Sequence, residues 1–179
     1  MKLIFGTKNQ AKIDQIKGAL VNQDIEISGL PKNIDFPEIA EDGKTAQENA
    51  RKKAVAYSEM LNQTVLSMDN ALYIDGLPEE KQPGINVRKI NNQTDRPTDD
   101  ELLQYYSQLI DGLGGKASGR WEFALCLAAP TGKIKETTII SPRVFTSEAS
   151  DKIIEGYPLE SIQIDPDSGK YISEMTSEE

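Results

Sequence analysis

Apolar residues open the chain as a short run, Leu3-Ile4-Phe5, and then switch to helical spacing at Ile13, Ile16 and Leu20. The first pattern predicts a buried strand over Lys2–Phe5 and the second a helix over Ala11–Val21. Alternation at Ile25 and Ile27 predicts a second strand within Asp24–Leu30, followed by the turn-prone Pro31–Pro37. A second helix is expected from Thr45, where Thr45-Ala-Gln-Glu48 has the form of a capping box. Ala46, Asn49, Ala50, Lys53, Ala54 and Tyr57 then share one face, small and partly polar. Thr64–Met68 reads as a short buried strand ending at Asp69, and Asp75–Asn92 as a loop punctuated by glycine and proline. Thr98-Asp-Asp-Glu101 is another capping box and opens a helix to about Ile110.

The four glycines of Gly112–Gly119 predict a flexible linker or tip. Trp121–Ala129 and Lys133–Ile140 read as a hairpin turning at Pro130-Thr131-Gly132, and Ile162 and Ile164 alternate like a last strand. Alternating strands and helices favour the α/β class, and the absence of repeats favours a single domain over residues 1–179.

Composition narrows the chemistry. A formal net charge of −9 argues against nucleic acid or an anionic membrane as a main partner, while leaving room for a small phosphorylated ligand beside local lysines. The opening apolar run stops at Phe5, too short for a signal peptide or a membrane span, and no other stretch is long enough either, so neither is expected and a cytoplasmic location follows. Cys126 is the only cysteine; it sits in the apolar run Phe123–Ala129 and reads as a buried structural thiol. There is no histidine, which excludes Ser-His-Asp and Cys-His mechanisms and His-ligated zinc. Acid–base work falls to carboxylates, lysine or metal-bound water.

Three charged patches could supply it. In FGTKNQAK, residues 5–12, Thr7 and Asn9 can cap the first helix, or the same turn can form an anion site with Lys8 and Lys12 as counter-charges. Glu38, Glu41 and Asp42 precede the second helix, which carries Glu48 and Lys53. Asp69 follows a buried strand, where open α/β sheets place ligands, and a carboxylate there needs a partner or a metal. Acids and lysines around a helix N-terminus suit a magnesium–phosphate complex.

The order of these residues resembles the inosine triphosphate pyrophosphatase family of non-canonical purine NTP pyrophosphatases. The family's T-x-N-x-x-K is matched by Thr7, Asn9 and Lys12, and its E-x-G-x-T-F-x-E-N-A-x-x-K-A by Glu41-Asp-Gly43-Lys-Thr45-Ala-Gln-Glu48-Asn49-Ala50-Arg-Lys-Lys53-Ala54. D-D-S-G-L falls on Met68-Asp69-Asn70-Ala71-Leu72, and P-G-x-x-S-A-R on Pro83-Gly84-Ile-Asn-Val-Arg88. The later G-K-T-x-A-E-M-x-x-E-E falls on Gly169-Lys170 through Glu174-Met175 to Glu178-Glu179.

Departures accompany the match. Met68 stands for the first acid of the pair, Gln15 for a glutamate, and Tyr157-Pro158-Leu159-Glu160 for part of the aromatic G-F-G-Y-D-P loop. The sequence ends at Glu179, before the family's S-H-R.

The resemblance implies an elongated two-lobed fold: a long twisted mixed sheet flanked by helices, with residues 7–12 at a cleft, in a homodimer. It also implies magnesium-dependent hydrolysis of a nucleoside triphosphate to the monophosphate and pyrophosphate. In that reading Asp69 is the catalytic base, and Glu41 and Asp69 hold Mg2+. Thr7, Lys8, Asn9, Lys12, Lys53 and Asn70 bind the substrate, with Tyr157 and Glu160 at the base. Two alternatives are a nucleotide-binding relative with impaired turnover and a pyrophosphatase with another base preference. Because Tyr157 offers stacking alone, discrimination between ITP and ATP or GTP is expected to be weak, on the order of tenfold or less.

Overall fold

A computed structural model describes residues 2–20, 23–90 and 96–176. Strands β1 (Lys2–Phe5), β2 (Glu26–Ser28), β3 (Val65–Ile74), β4 (Lys116–Ala128), β5 (Ile134–Thr146) and β6 (Gln163–Ile164) form one sheet in the order β2-β1-β3-β4-β5-β6. The helices are α1 (Gln10–Ala19), α2 (Ala46–Leu61) and α3 (Asp99–Asp111). β1 runs parallel to both β2 and β3, while β6 runs antiparallel to β5, so the sheet is mixed and the class is α/β.

The chain packs as two compact units. The first comprises Met1–Asn70 and Phe123–Ile139, and the second Ala71–Glu122 and Ile140–Glu179; β3, β4 and β5 contribute residues to both. In the first unit, strand alternation sorts the apolar side chains by face. Leu3, Phe5, Leu66 and Met68 pack with Ile13 and Ile16 of α1. Ile4 and Val65 pack with Phe36 and with Tyr57 and Leu61 of α2. In the second unit, Leu72, Ile74 and Phe145 of the sheet enclose a core with Leu102, Tyr106 and Ile110 of α3. Leu159 and Ile162 of the 3-10 helix Pro158–Ile162 join them.

Several expected elements shift, each for a physical reason. β3 does not stop before Asp69 but continues to Ile74, because the turn preference of Asp69-Asn70 yields to sheet pairing and to burial of Ala71, Leu72 and Ile74. Asp69 is therefore a mid-strand residue and makes no turn. β2 is shorter than expected, α1 starts at Gln10 and is described to Ala19, and the expected end at Val21 lies outside the described residues. So do Asn92 in the expected loop and the matched Glu178 and Glu179.

The glycine cluster is only partly a turn, since β4 begins at Lys116. Gly119 lies inside it, where an added Cβ would come 2.5 Å from the Tyr73 carbonyl oxygen, so the bare backbone is what permits that approach. The hairpin turns where expected, with the Gly132 N–H donating to the Ala129 carbonyl. Ile162 belongs to the 3-10 helix, leaving Gln163–Ile164 as the last strand.

Candidate active site

The turn after β1 is built by its own side chains. Thr7 Oγ1 accepts from the Asn9 N–H at 3.1 Å, and Asn9 Oδ1 accepts from the Lys12 N–H at 3.4 Å. The capping role of both residues is thus present, and it aims the first turn of α1. Lys8 turns elsewhere, donating from Nζ to the Phe36 carbonyl at 2.8 Å. It ties the turn to the proline-flanked segment rather than joining the acidic groups.

Lys12 and Lys53 converge on one carboxylate. Asp69 Oδ1 stands 3.4 Å from Lys53 Nζ and 3.9 Å from Lys12 Nζ. Lys53 also meets Glu41 Oε1 at 2.6 Å and donates to the Met68 carbonyl at 3.2 Å. Lys53 is 9% exposed and Asp69 7%, so both charges are out of water and depend on each other. The α2 face predicted from spacing delivers Lys53: Ala46, Asn49, Ala50, Lys53, Ala54 and Tyr57 are all buried, with Ser58. Burial and the neighbouring Lys53 ammonium push the Lys12 amine below its ordinary range, while Asp69 and Glu41 pull it back up.

The loop bearing Glu41 is held by Asn49, which the sequence reading quoted in its motif without giving it a task. Buried Asn49 accepts through Oδ1 from the Gly43 N–H at 2.8 Å. An added Cβ on Gly43 would meet that same oxygen at 2.6 Å, so asparagine and glycine are required together. The Thr45 hydroxyl accepts from the Glu48 N–H as a capping box demands, but Glu48 closes instead on the Lys44 N–H, one residue earlier. Asp42 pairs with Lys52.

Asn70, next to Asp69 in an extended strand, faces the opposite side of the sheet. Its side-chain oxygen is buried and accepts no hydrogen bond among the described residues. Met68 is buried with Leu3, Phe5 and Ile13, an apolar setting where the family pattern carries an acid.

Tyr157 and Glu160 belong to the second compact unit. Tyr157 immediately precedes the 3-10 helix that carries Glu160, and burial raises the Glu160 carboxyl while Arg143 opposes the rise. A second residue without an assigned task orders this region. Arg88 donates from Nη2 to the Gly156 carbonyl at 2.7 Å and pairs with Asp99, which accepts from the Gly156 N–H. The matched motif ending at Arg88 was the available signal.

Among the described residues no three acidic, Cys or His side chains gather as a metal cage. The two carboxylates that meet the Lys53 ammonium, Glu41 and Asp69, are nevertheless the one or two that magnesium takes when phosphate oxygens and water complete its shell. The donor set fits such an ion.

Comparison with known proteins bears on the same residues. A profile of the Ham1 family matches residues 3–179. A dITP/XTP pyrophosphatase of Exiguobacterium sp. is 31% identical over 135 residues, covering 74% of this chain and 65% of that protein. Another of that name from Leuconostoc mesenteroides is 28% identical over 185 residues, covering 100% and 88%. The fold is similar to that of the Staphylococcus aureus Ham1 protein, with a TM-score of 0.74 at 21% identity over 99% of this chain and 88% of that one. It is also similar to a Coxiella burnetii HAM1 protein, with a TM-score of 0.76 at 19% identity over 98% and 87%. Motif order, mixed sheet and near end-to-end profile agree with the resemblance drawn from the sequence, and the chain belongs to the Ham1 family.

Proposed function

We propose that this protein is a nucleoside triphosphate pyrophosphohydrolase acting on non-canonical purine nucleotides, releasing the monophosphate and pyrophosphate. It would act as one folded domain over residues 1–179, a cytoplasmic homodimer with neither nucleic acid nor membrane as a partner. The observation that carries the reading is the convergence of Lys12, Lys53, Glu41 and Asp69 in one unit of a Ham1 fold.

Each residue has a task set by its chemistry. Thr7, Asn9 and the opening turn of α1 present polar groups and a helix N-terminus to phosphate oxygens. Lys12 and Lys53 neutralise charge developing on the triphosphate, and their mutual proximity favours an anion between them. Lys8, fastened to Phe36, supports the turn and adds positive field. Asp69 accepts the proton of the attacking water, a step that needs no histidine. Magnesium held by Glu41 and Asp69 would supply charge neutralisation at the phosphates and acidify a water. Asn70 supports the site from the far side of β3, and Tyr157 and Glu160 engage the base by stacking and hydrogen bonding.

One observation favours a second reading, a nucleotide-binding relative with reduced turnover: Met68 occupies an apolar pocket where a further acid would otherwise stand. Pyrophosphate release, measured with and without magnesium for ITP, XTP, dITP, ATP and GTP, decides between the two. Magnesium-dependent release supports the enzyme. Binding of these nucleotides without release supports the impaired relative.

A further inference from the structure

The chain turns sharply just before Tyr157. The Tyr157 N–H donates to the Ile154 carbonyl at 2.9 Å, and Gly156 holds φ at +80°, the left-handed setting that this place in a turn reserves for glycine. The turn's own hydrogen bond joins Ile154 and Tyr157, so the Gly156 N–H and carbonyl need partners from outside it. No residue from 151 to 156 is buried, and core packing does little to hold the segment.

Two side chains take both groups. Asp99 accepts from the Gly156 N–H, and Arg88 donates from Nη2 to the Gly156 carbonyl at 2.7 Å. Their own ion pair, 3.4 Å from Arg88 Nη1 to Asp99 Oδ1, joins the two contacts into one ring. Both bonds to the backbone are charge-assisted, the stronger kind.

Asp99 is also a fixed point. It opens α3 directly after Thr98, where the closed Thr98–Glu101 box sets the start of the helix. Leu102, Tyr106 and Ile110 of the same helix pack in the core with Leu159 and Ile162, from the 3-10 helix that follows Tyr157. α3 therefore grips the chain on both sides of Tyr157, by charged hydrogen bonds before it and by packing after it. The Tyr157 carbonyl accepts from the Glu160 N–H at 3.1 Å, so its own backbone is tied at both ends.

We propose that Asp99 and Arg88 are positioning residues for the nucleobase: without touching it, they fix the turn that directs the Tyr157 ring. The inference rests on the reading above that Tyr157 stacks on the base. A ring already held in place binds more tightly than one that must be ordered by its ligand.

The test separates the base from the phosphates. Calorimetric titration of the full chain with magnesium gives Kd for two probes. One is the α,β-methylene analogue of ITP, whose bridge between the first two phosphates resists hydrolysis, and the other is inorganic tripolyphosphate, which has no base. Asp99→Ala and Arg88→Met should each weaken the analogue about fivefold or more, the lower end of what one stacked base contributes, and leave tripolyphosphate unchanged. Asp99→Asn keeps an acceptor for the Gly156 N–H and should bind the analogue nearly as well as the wild type. In a Tyr157→Ala background Arg88→Met should cost nothing further, because the ring it positions is gone.

Circular dichroism of each variant establishes that it is folded. Equal losses for the analogue and tripolyphosphate, or a full extra loss on top of Tyr157→Ala, would make the pair a general support and overturn the proposal. If Tyr157→Ala weakens the analogue while neither Asp99→Ala nor Arg88→Met does, the base reading stands and the positioning role falls. If Tyr157→Ala itself leaves the analogue unchanged, the base reading falls and the positioning role with it.

Discussion

At the scale of single residues, Asp69 and Lys53 should fail in different ways. Asp69→Asn keeps shape and leaves Lys53 its 2.6 Å contact with Glu41, so the fold should survive. Pyrophosphate release should nevertheless fall by about a hundredfold or more, the usual cost of removing one preorganised group. Lys53→Met keeps bulk but leaves a buried carboxylate with Lys12 alone, 3.9 Å away. It should lose activity and also about 3 kcal/mol or more of stability in urea denaturation. Lys12→Ala should chiefly raise KM, and an unchanged KM would contradict its assignment to the triphosphate. The residue types and order of this cluster were legible in the sequence through their match to the family's motifs, since each charge taken alone also fits an ordinary cap, turn or surface role. The Met68 carbonyl as an acceptor and Lys8 anchored on Phe36 were not, since a backbone oxygen has no sequence signature and a lysine's reach depends on tertiary neighbours.

At the scale of elements, the helices were the most legible parts. The Thr98–Glu101 box closes in both directions, and α3 begins where it predicts. Thr98→Ala should cost about 1 kcal/mol, read as a lowered unfolding midpoint with unchanged activity. Strand ends were less legible: Asp69-Asn70 carries a local turn preference that long-range pairing overrides, and Gly119 looks like part of a linker until the Tyr73 carbonyl is placed against it. Gly119→Ala tests that contact. With the Phe145 ring 2.8 Å from the added carbon as well, it should destabilise the chain by about 1–3 kcal/mol, measured by thermal or urea unfolding.

At the scale of the whole molecule, Cys126 reports on global opening. It is fully buried, and burial pushes its thiol up to about 11. A thiol reagent at neutral pH should therefore react only as the chain unfolds. The folded protein holds this proton after the unfolded chain has released it, so the thiol's contribution to stability should decline as pH rises from about 9 to about 11. The balance of the candidate site has a different consequence, for encounter with substrate. Lys12 and Lys53 carry two positive charges and Glu41 and Asp69 two negative ones, so the cluster has no formal surplus with which to draw a polyanion from a distance. The molecule around it carries −9 and repels one. Added salt screens that repulsion, and kcat/KM should climb as ionic strength rises from dilute buffer, opposite to an enzyme that steers its substrate inward. Capture then rests on short-range fit after a chance collision.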